Sequence, residues 1–250
     1  MLRQFLLIIV LCGYWHSVDA DEAVVAVASN FLEAMLELQE EFERIEPHSL
    51  SIISGSTGKL FAQIKYGAPF DLFLAADQKS PAVLFEDPDS QYSKPFPYAI
   101  GSIVLWGLAL DTATQDIEAG LDGLNFNDFR KLAMPNPVLA PYGKAAMQVL
   151  ASKGWERTLR SKFVFGENAA QAYMLVATGN AELGFIPASL IPQAKSLGGN
   201  IVFLNSELYE PVIQNGILLR SDNLAAASFV RFLSSEIAES IVRNYNFQIP

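Results

Sequence analysis

Four short stretches of this sequence place hydroxyl, amide or glycine residues where an apolar, strand-like run gives way to a helical one. They are Ser29-Asn30, Ser56-Thr57-Gly58, Ala140-Pro141-Tyr142-Gly143 and Gly166-Glu167-Asn168-Ala169. The chemistry open to such junctions is anion binding. The first backbone N–H groups of a helix lack intrahelical partners and the macrodipole makes that end positive, so each junction donates hydrogen bonds to an anion without a charged side chain. In open α/β sheets these ends face the ligand crevice. One such junction on its own is more often a helix cap than a ligand site; four that converge make a cage.

Within the junctions the residue types divide the work. Asn30 and Glu33 have the spacing of a capping box, which assigns Asn30 to closing the helix and leaves the Ser29 hydroxyl pointing outward. Ser56 and Thr57 each offer a hydroxyl besides an N–H, and Gly58 permits close approach of backbone to ligand. Tyr142 follows Pro141 in an expected first helical turn, where proline is at home, and brings an N–H and a phenol.

Enzymatic chemistry has little material. His48 stands in the turn-like Glu46-Pro47-His48-Ser49 with no metal motif around it, and reads as a surface residue. Asp71 and Asp77 flank a strand, but Asp77 before Gln78-Lys79-Ser80 reads as a helix cap and Asp71 as a structural hydrogen-bonding residue. Gly55-Ser56-Thr57-Gly58-Lys59 lacks the first glycine of a P-loop and the Ser or Thr after its lysine. No catalytic residue, cofactor or metal-cation site is expected.

The elements that must position these junctions alternate. Residues 24–28 read as a buried strand, with Phe31, Leu32, Met35, Leu36, Leu38 and Phe42 at helical spacing behind it. Strand 50–53, helix 60–64 and strand 71–76 follow, then a long strand at 99–106, a short one ending at Ala140, a helix over 145–150, strands 163–165 and 183–186, and closing helices at 223–233 and 235–245. Strands alternating with helices predict an α/β fold, and the number of units suits two lobes, each a mainly parallel sheet flanked by helices, with the ligand in the cleft between them. Lobe 1 is expected to take residues 21–100 and 208–250, lobe 2 residues 101–207.

Arg3, the apolar run 5–11 and the small residues near Val18-Asp19-Ala20 give residues 1–20 the layout of a cleavable secretory signal. Cys12 has Leu11 before it, where a lipid-attachment site wants a small residue, so the chain beyond the leader has neither thiol nor disulfide. The 250 residues are 51% hydrophobic and 18% charged, an ordinary globular balance. The net charge of −10, with Lys and Arg scattered singly, argues against nucleic acid and anionic membrane surfaces as partners.

At these same residues the chain resembles the periplasmic molybdate-binding proteins of ABC transporters. The resemblance is carried by Val27-Ala28-Ser29-Asn30-Phe31, by residues 54–64 and 67–77, by Tyr98-Ala99-Ile100-Gly101, and by the segments around Tyr142, 166–172 and 179–185. It implies two lobes that close on one unhydrated molybdate or tungstate, held by neutral donors from Ser29 and Asn30, from Thr57 with Ser56, and from the backbone N–H groups of Tyr142 and Ala169. Some members add a tyrosine hydroxyl at a position that here is Pro187, which has neither N–H nor hydroxyl; Asn30 with Tyr142 is similar to the branch that does without it. The implied partners are an inner-membrane ABC permease and its ATPase, the location periplasmic and the protein monomeric. The alternatives are a carrier of sulfate or another oxyanion, and a small secreted hydrolase.

Overall fold

The computed structural model describes residues 20–88, 90–108 and 123–250. The expected leader lies outside these residues except for Ala20.

The strands, numbered in chain order, are β1 (Glu22–Ala28), β2 (Ser49–Gly55), β3 (Leu72–Leu74), β4 (Phe96–Gly101), β5 (Ile103–Gly107), β6 (Leu132–Pro135), β7 (Phe163–Gly166), β8 (Leu183–Pro187), β9 (Asn200–Phe203) and β10 (Val212–Leu218). They form two five-stranded sheets, ordered β2-β1-β3-β10-β4 and β7-β6-β8-β5-β9. The chain passes from the first sheet to the second between Gly101 and Ile103, and returns between Phe203 and Val212.

The α/β expectation holds, with a mixed pairing. β2, β1 and β3 run parallel, as do β7, β6 and β8, and all of these but β8 supply the site-bearing ends. The strands on the far side of each sheet, β10 and β4 in one and β5 and β9 in the other, pair antiparallel. The single long strand expected at 99–106 is two strands in different sheets, separated by Ser102, whose carbonyl accepts from the Ala188 N–H at 2.8 Å. A nearly continuous apolar run shows no period, so it cannot announce a change of sheet. The strand expected to end at Ala140 ends at Pro135; beyond it Asn136 starts a turn that the Ala140 N–H closes on the Asn136 carbonyl at 2.8 Å.

Helices α1 (Leu32–Ile45), α2 (Thr57–Lys65) and α3 (Lys79–Phe85) belong with the first sheet; α4 (Pro141–Ser152), α5 (Glu156–Leu159), α6 (Ala169–Ala177) and α7 (Ile191–Leu197) follow strands of the second; α8 (Leu224–Phe232) and α9 (Glu236–Asn244) return to the first. One core packs β1 against α1, α8 and α9, where Phe42 meets Phe229 edge-on at 5.2 Å. Another is built around Tyr142, Met134 and Leu150 and takes in Ala28 and Val212 of the first sheet and Ala76 just past β3. This core joins the two sheets beneath the place where the junctions meet. Asp71 has the structural role expected of it: it is buried, its Oδ2 accepts from the Val24 N–H at 2.7 Å, and Arg220 Nε stands 3.7 Å from its other oxygen.

Candidate functional site

Strand register brings the junctions together in pairs. Ala28 is the partner of Gly55 in the parallel β1–β2 ladder, so Ser29 and Ser56 leave the first sheet side by side. Pro135 is the partner of Gly166 in β6–β7, which aligns the turn leading to Tyr142 with the one leading to Ala169. The two pairs face each other across a small cavity of about 10 Å³ lined by Ser29, Asn30, Ser56, Thr57, Tyr142 and Ala169, together with Ala28, Gly55, Ala76, Ala140, Pro141 and Asn168. All six residues singled out from the sequence are present, and none of the lining residues carries a charge.

Each hydroxyl is held so that it has something left to give. Ser56 occupies the N-cap of α2 yet does not cap it: the Lys59 and Leu60 N–H groups bond the Ser56 carbonyl, and the buried Ser56 Oγ has no partner. A serine at an N-cap ordinarily turns its oxygen to its own helix, so this one points elsewhere. Thr57 Oγ1 accepts from the Ala76 N–H at 3.0 Å, which leaves its proton to donate. Ser29 Oγ lies 3.5 Å from the Ala170 N–H, a long bond from the facing wall. On that wall Asn168 caps α6 by accepting from the Gln171 N–H at 3.0 Å, so the Ala169 N–H opens the helix beside the cavity.

The capping box at Asn30 and Glu33 does not form. A 3-10 turn, Ser29–Phe31, intervenes before α1, whose N-cap is Phe31, and no side chain caps either element. The Asn30 amide donates instead to Gln214 Oε1 at 2.8 Å and reaches Tyr142 Oη at 3.4 Å. A buried amide takes the partner that fully desolvated neighbours offer over a local cap. The Tyr142 phenol, inside the protein rather than at the surface, also accepts from Gln214 Nε2 at 3.3 Å. Burial above all, and Tyr209 next, push its pKa upward against the lowering effect of its two amide donors, so it remains neutral. Tyr98 is likewise raised by burial, with Tyr142 and Asp77 adding to the effect.

Across the mouth the walls are joined. The Gly58 N–H donates to the Leu139 carbonyl at 2.9 Å, and Lys59 Nζ pairs with Glu167 Oε1 at 3.1 Å. A Cβ on Gly58 would come within 3.1 Å of that carbonyl oxygen, so glycine permits the approach. Pro187 ends β8 outside the cavity lining; Ser189, just beyond it, donates its hydroxyl to the Asn30 carbonyl at 2.7 Å and so fixes the turn from behind. Gln214, Ser189 and Tyr98 were not expected from sequence.

The discounted residues stay outside. His48 Nδ1 accepts from the Asp21 N–H at 3.2 Å, and Asp77 Oδ1 accepts from the Ser80 N–H at 2.8 Å at the start of α3. Among the described residues no cluster of His, Cys, Asp or Glu could hold a metal ion. No helix among them is long and apolar enough to cross a membrane.

A small, uncharged, donor-lined cavity between two α/β lobes suits a compact anion of few atoms. Comparison with known proteins agrees. Residues 23–248 match the model of a family described as bacterial extracellular solute-binding protein. The chain is 38% identical over 232 residues to the molybdate-binding protein ModA of Azotobacter vinelandii, covering 92% of this chain and 90% of that one. It is 34% identical to ModA of Rhodobacter capsulatus, over 91% and 88%. The solved periplasmic molybdate-binding protein of Azotobacter vinelandii superposes with a TM-score of 0.81 at 30% identity, covering 91% of this chain and 99% of that chain.

Proposed function

This chain belongs to the bacterial extracellular solute-binding proteins, and we propose that its cargo is molybdate, with tungstate as an equivalent, captured in the periplasm for an inner-membrane ABC permease and its ATPase. The observation that carries the reading is the unpartnered, buried Ser56 Oγ among uncharged donors at four helix starts. The close likeness to two molybdate-binding proteins selects the oxyanion.

No bond is made or broken in this function, and the chain acts as a monomer without a cofactor. The anion leaves its water and receives N–H and O–H donors from both walls. Ser29, Ser56 and Thr57 give hydroxyl protons, and the helix starts at Tyr142 and Ala169 give backbone N–H groups. Because the donors are neutral, the dianion is balanced by dipoles rather than by an ion pair and can be released again. Closing the lobes shuts the Gly58–Leu139 and Lys59–Glu167 contacts over it. The cavity is small and lined without charged residues, which suits a few-atom ligand held by neutral donors.

Calorimetric titration tests this. The mature protein is expected to bind molybdate at one site and to prefer it over sulfate in direct competition. A stoichiometric nucleotide or metal cation in the purified protein, or tighter binding of sulfate, defeats the reading. A screen with esterase and phosphatase substrates is expected to give no turnover.

A further inference from the structure

Asn30 stands on one wall of the cavity and Tyr142 on the other, and one side chain bonds both. Gln214, in β10, is completely buried. Its Oε1 accepts from Asn30 Nδ2 at 2.8 Å and lies 3.2 Å from the Tyr98 hydroxyl, while its Nε2 donates to Tyr142 Oη at 3.3 Å. Tyr98 also reaches the Ala75 carbonyl at 3.1 Å, which ties the cluster to the end of β3.

The position of this cluster matters as much as its bonds. The phenol fills the place of a missing side chain at Gly101, the last residue before the chain leaves the first sheet. Gln214 lies just inside β10, where the chain has come back, and the β10–β4 register shifts between Gln214 and Asn215. The amide therefore sits beside both crossings.

We propose that Gln214 is a positioning and specificity-determining residue that sets the separation of the Asn30 and Tyr142 walls and thereby the size of oxyanion accepted. The inference rests on the molybdate reading above. Neutral donors offer the same hydrogen bonds to every tetrahedral dianion, so they cannot rank molybdate and sulfate by size. Wall separation can, because in a small cavity it sets the distance from the donors of one wall to those of the other. A buried residue needed only for packing would be served by leucine, which has no bonds to tie the walls.

The test uses Gln214→Leu, Tyr142→Phe and the double variant, each titrated with sodium molybdate and, by displacement, with sodium sulfate. Tyr142→Phe keeps the backbone N–H beside the cavity and removes only the phenol oxygen. Each single variant is expected to bind molybdate roughly tenfold more weakly, with sulfate affected less, so the preference for molybdate falls severalfold. The double variant is expected to fall no further than either single one. Equal losses for both anions, additive losses in the double variant, or a parental preference in the single variants overturn the proposal. If Gln214→Leu does not fold, the same ratio measured on Tyr142→Phe decides. A parent protein that binds no molybdate, or shows no preference between the anions, defeats the functional reading itself; a selective parent with equally selective variants defeats only the role of Gln214.

Discussion

Replacing Gly101 with alanine is expected to weaken molybdate binding by roughly 100-fold or more. The added Cβ would overlap the buried Tyr142 Oη and stand 3.0 Å from Gln214 Nε2. Gly101 is not in the left-handed backbone region, so the effect comes from space alone. Relief requires the ring to move, and with it the first turn of α4, whose N–H groups are proposed to face the anion. Overpacking of this kind costs about 1–3 kcal/mol of stability, so the variant should melt lower and still fold. Titration beside circular dichroism settles it: a Gly101→Ala protein that binds like the parent would show that the phenol has no part in the site.

Alanine at Ser29, Ser56 or Thr57 is expected to cost about 10- to 100-fold in affinity each, since a hydrogen bond to a charged group is worth roughly 1.5–3 kcal/mol. Stability separates the three. Ser29 and Ser56 make no cap bond with their side chains, so Ser29→Ala and Ser56→Ala should melt close to the parent. Thr57→Ala strips the Ala76 N–H of its acceptor, and leaving that buried donor unpaired should cost a further 1–3 kcal/mol or so of stability. Thr57→Ser should restore both properties. Lower melting with parental affinity in all three alanine variants would mean that these hydroxyls serve the fold and not the ligand.

The junctions were legible because each is a local event. An apolar run, a polar residue and a helical period lie within about ten residues of one another, and proline at the start of α4 or a serine after β2 carries its own conformational reason. Asn30 shows where local reasoning stops. Its spacing to Glu33 is that of a capping box, but its partners are Gln214 and Tyr142, 184 and 112 residues away. Gln214 itself sits in Val212-Ile213-Gln214-Asn215-Gly216, a strand that was not expected and in which a lone glutamine looks like any edge residue. The break at Ser102 was hidden for a related reason: the apolar residues on either side of it belong to two different sheets, and nothing in their types says which.

The interleaving of the chain also sets an order in which the molecule can be made. The second sheet is drawn from one continuous stretch, Ile103 to Phe203, whereas the first keeps a gap between β3 and β4 that only β10 fills. In a chain that emerges N-terminus first, the first three strands must wait for well over a hundred residues before their neighbour exists, and longer for the α8 and α9 helices that cover them. Until then β3 has an unpaired edge, and the apolar face of β1 lacks part of its cover. Closing so long a loop is slow, so the half of the protein that begins the chain is the half that is finished last.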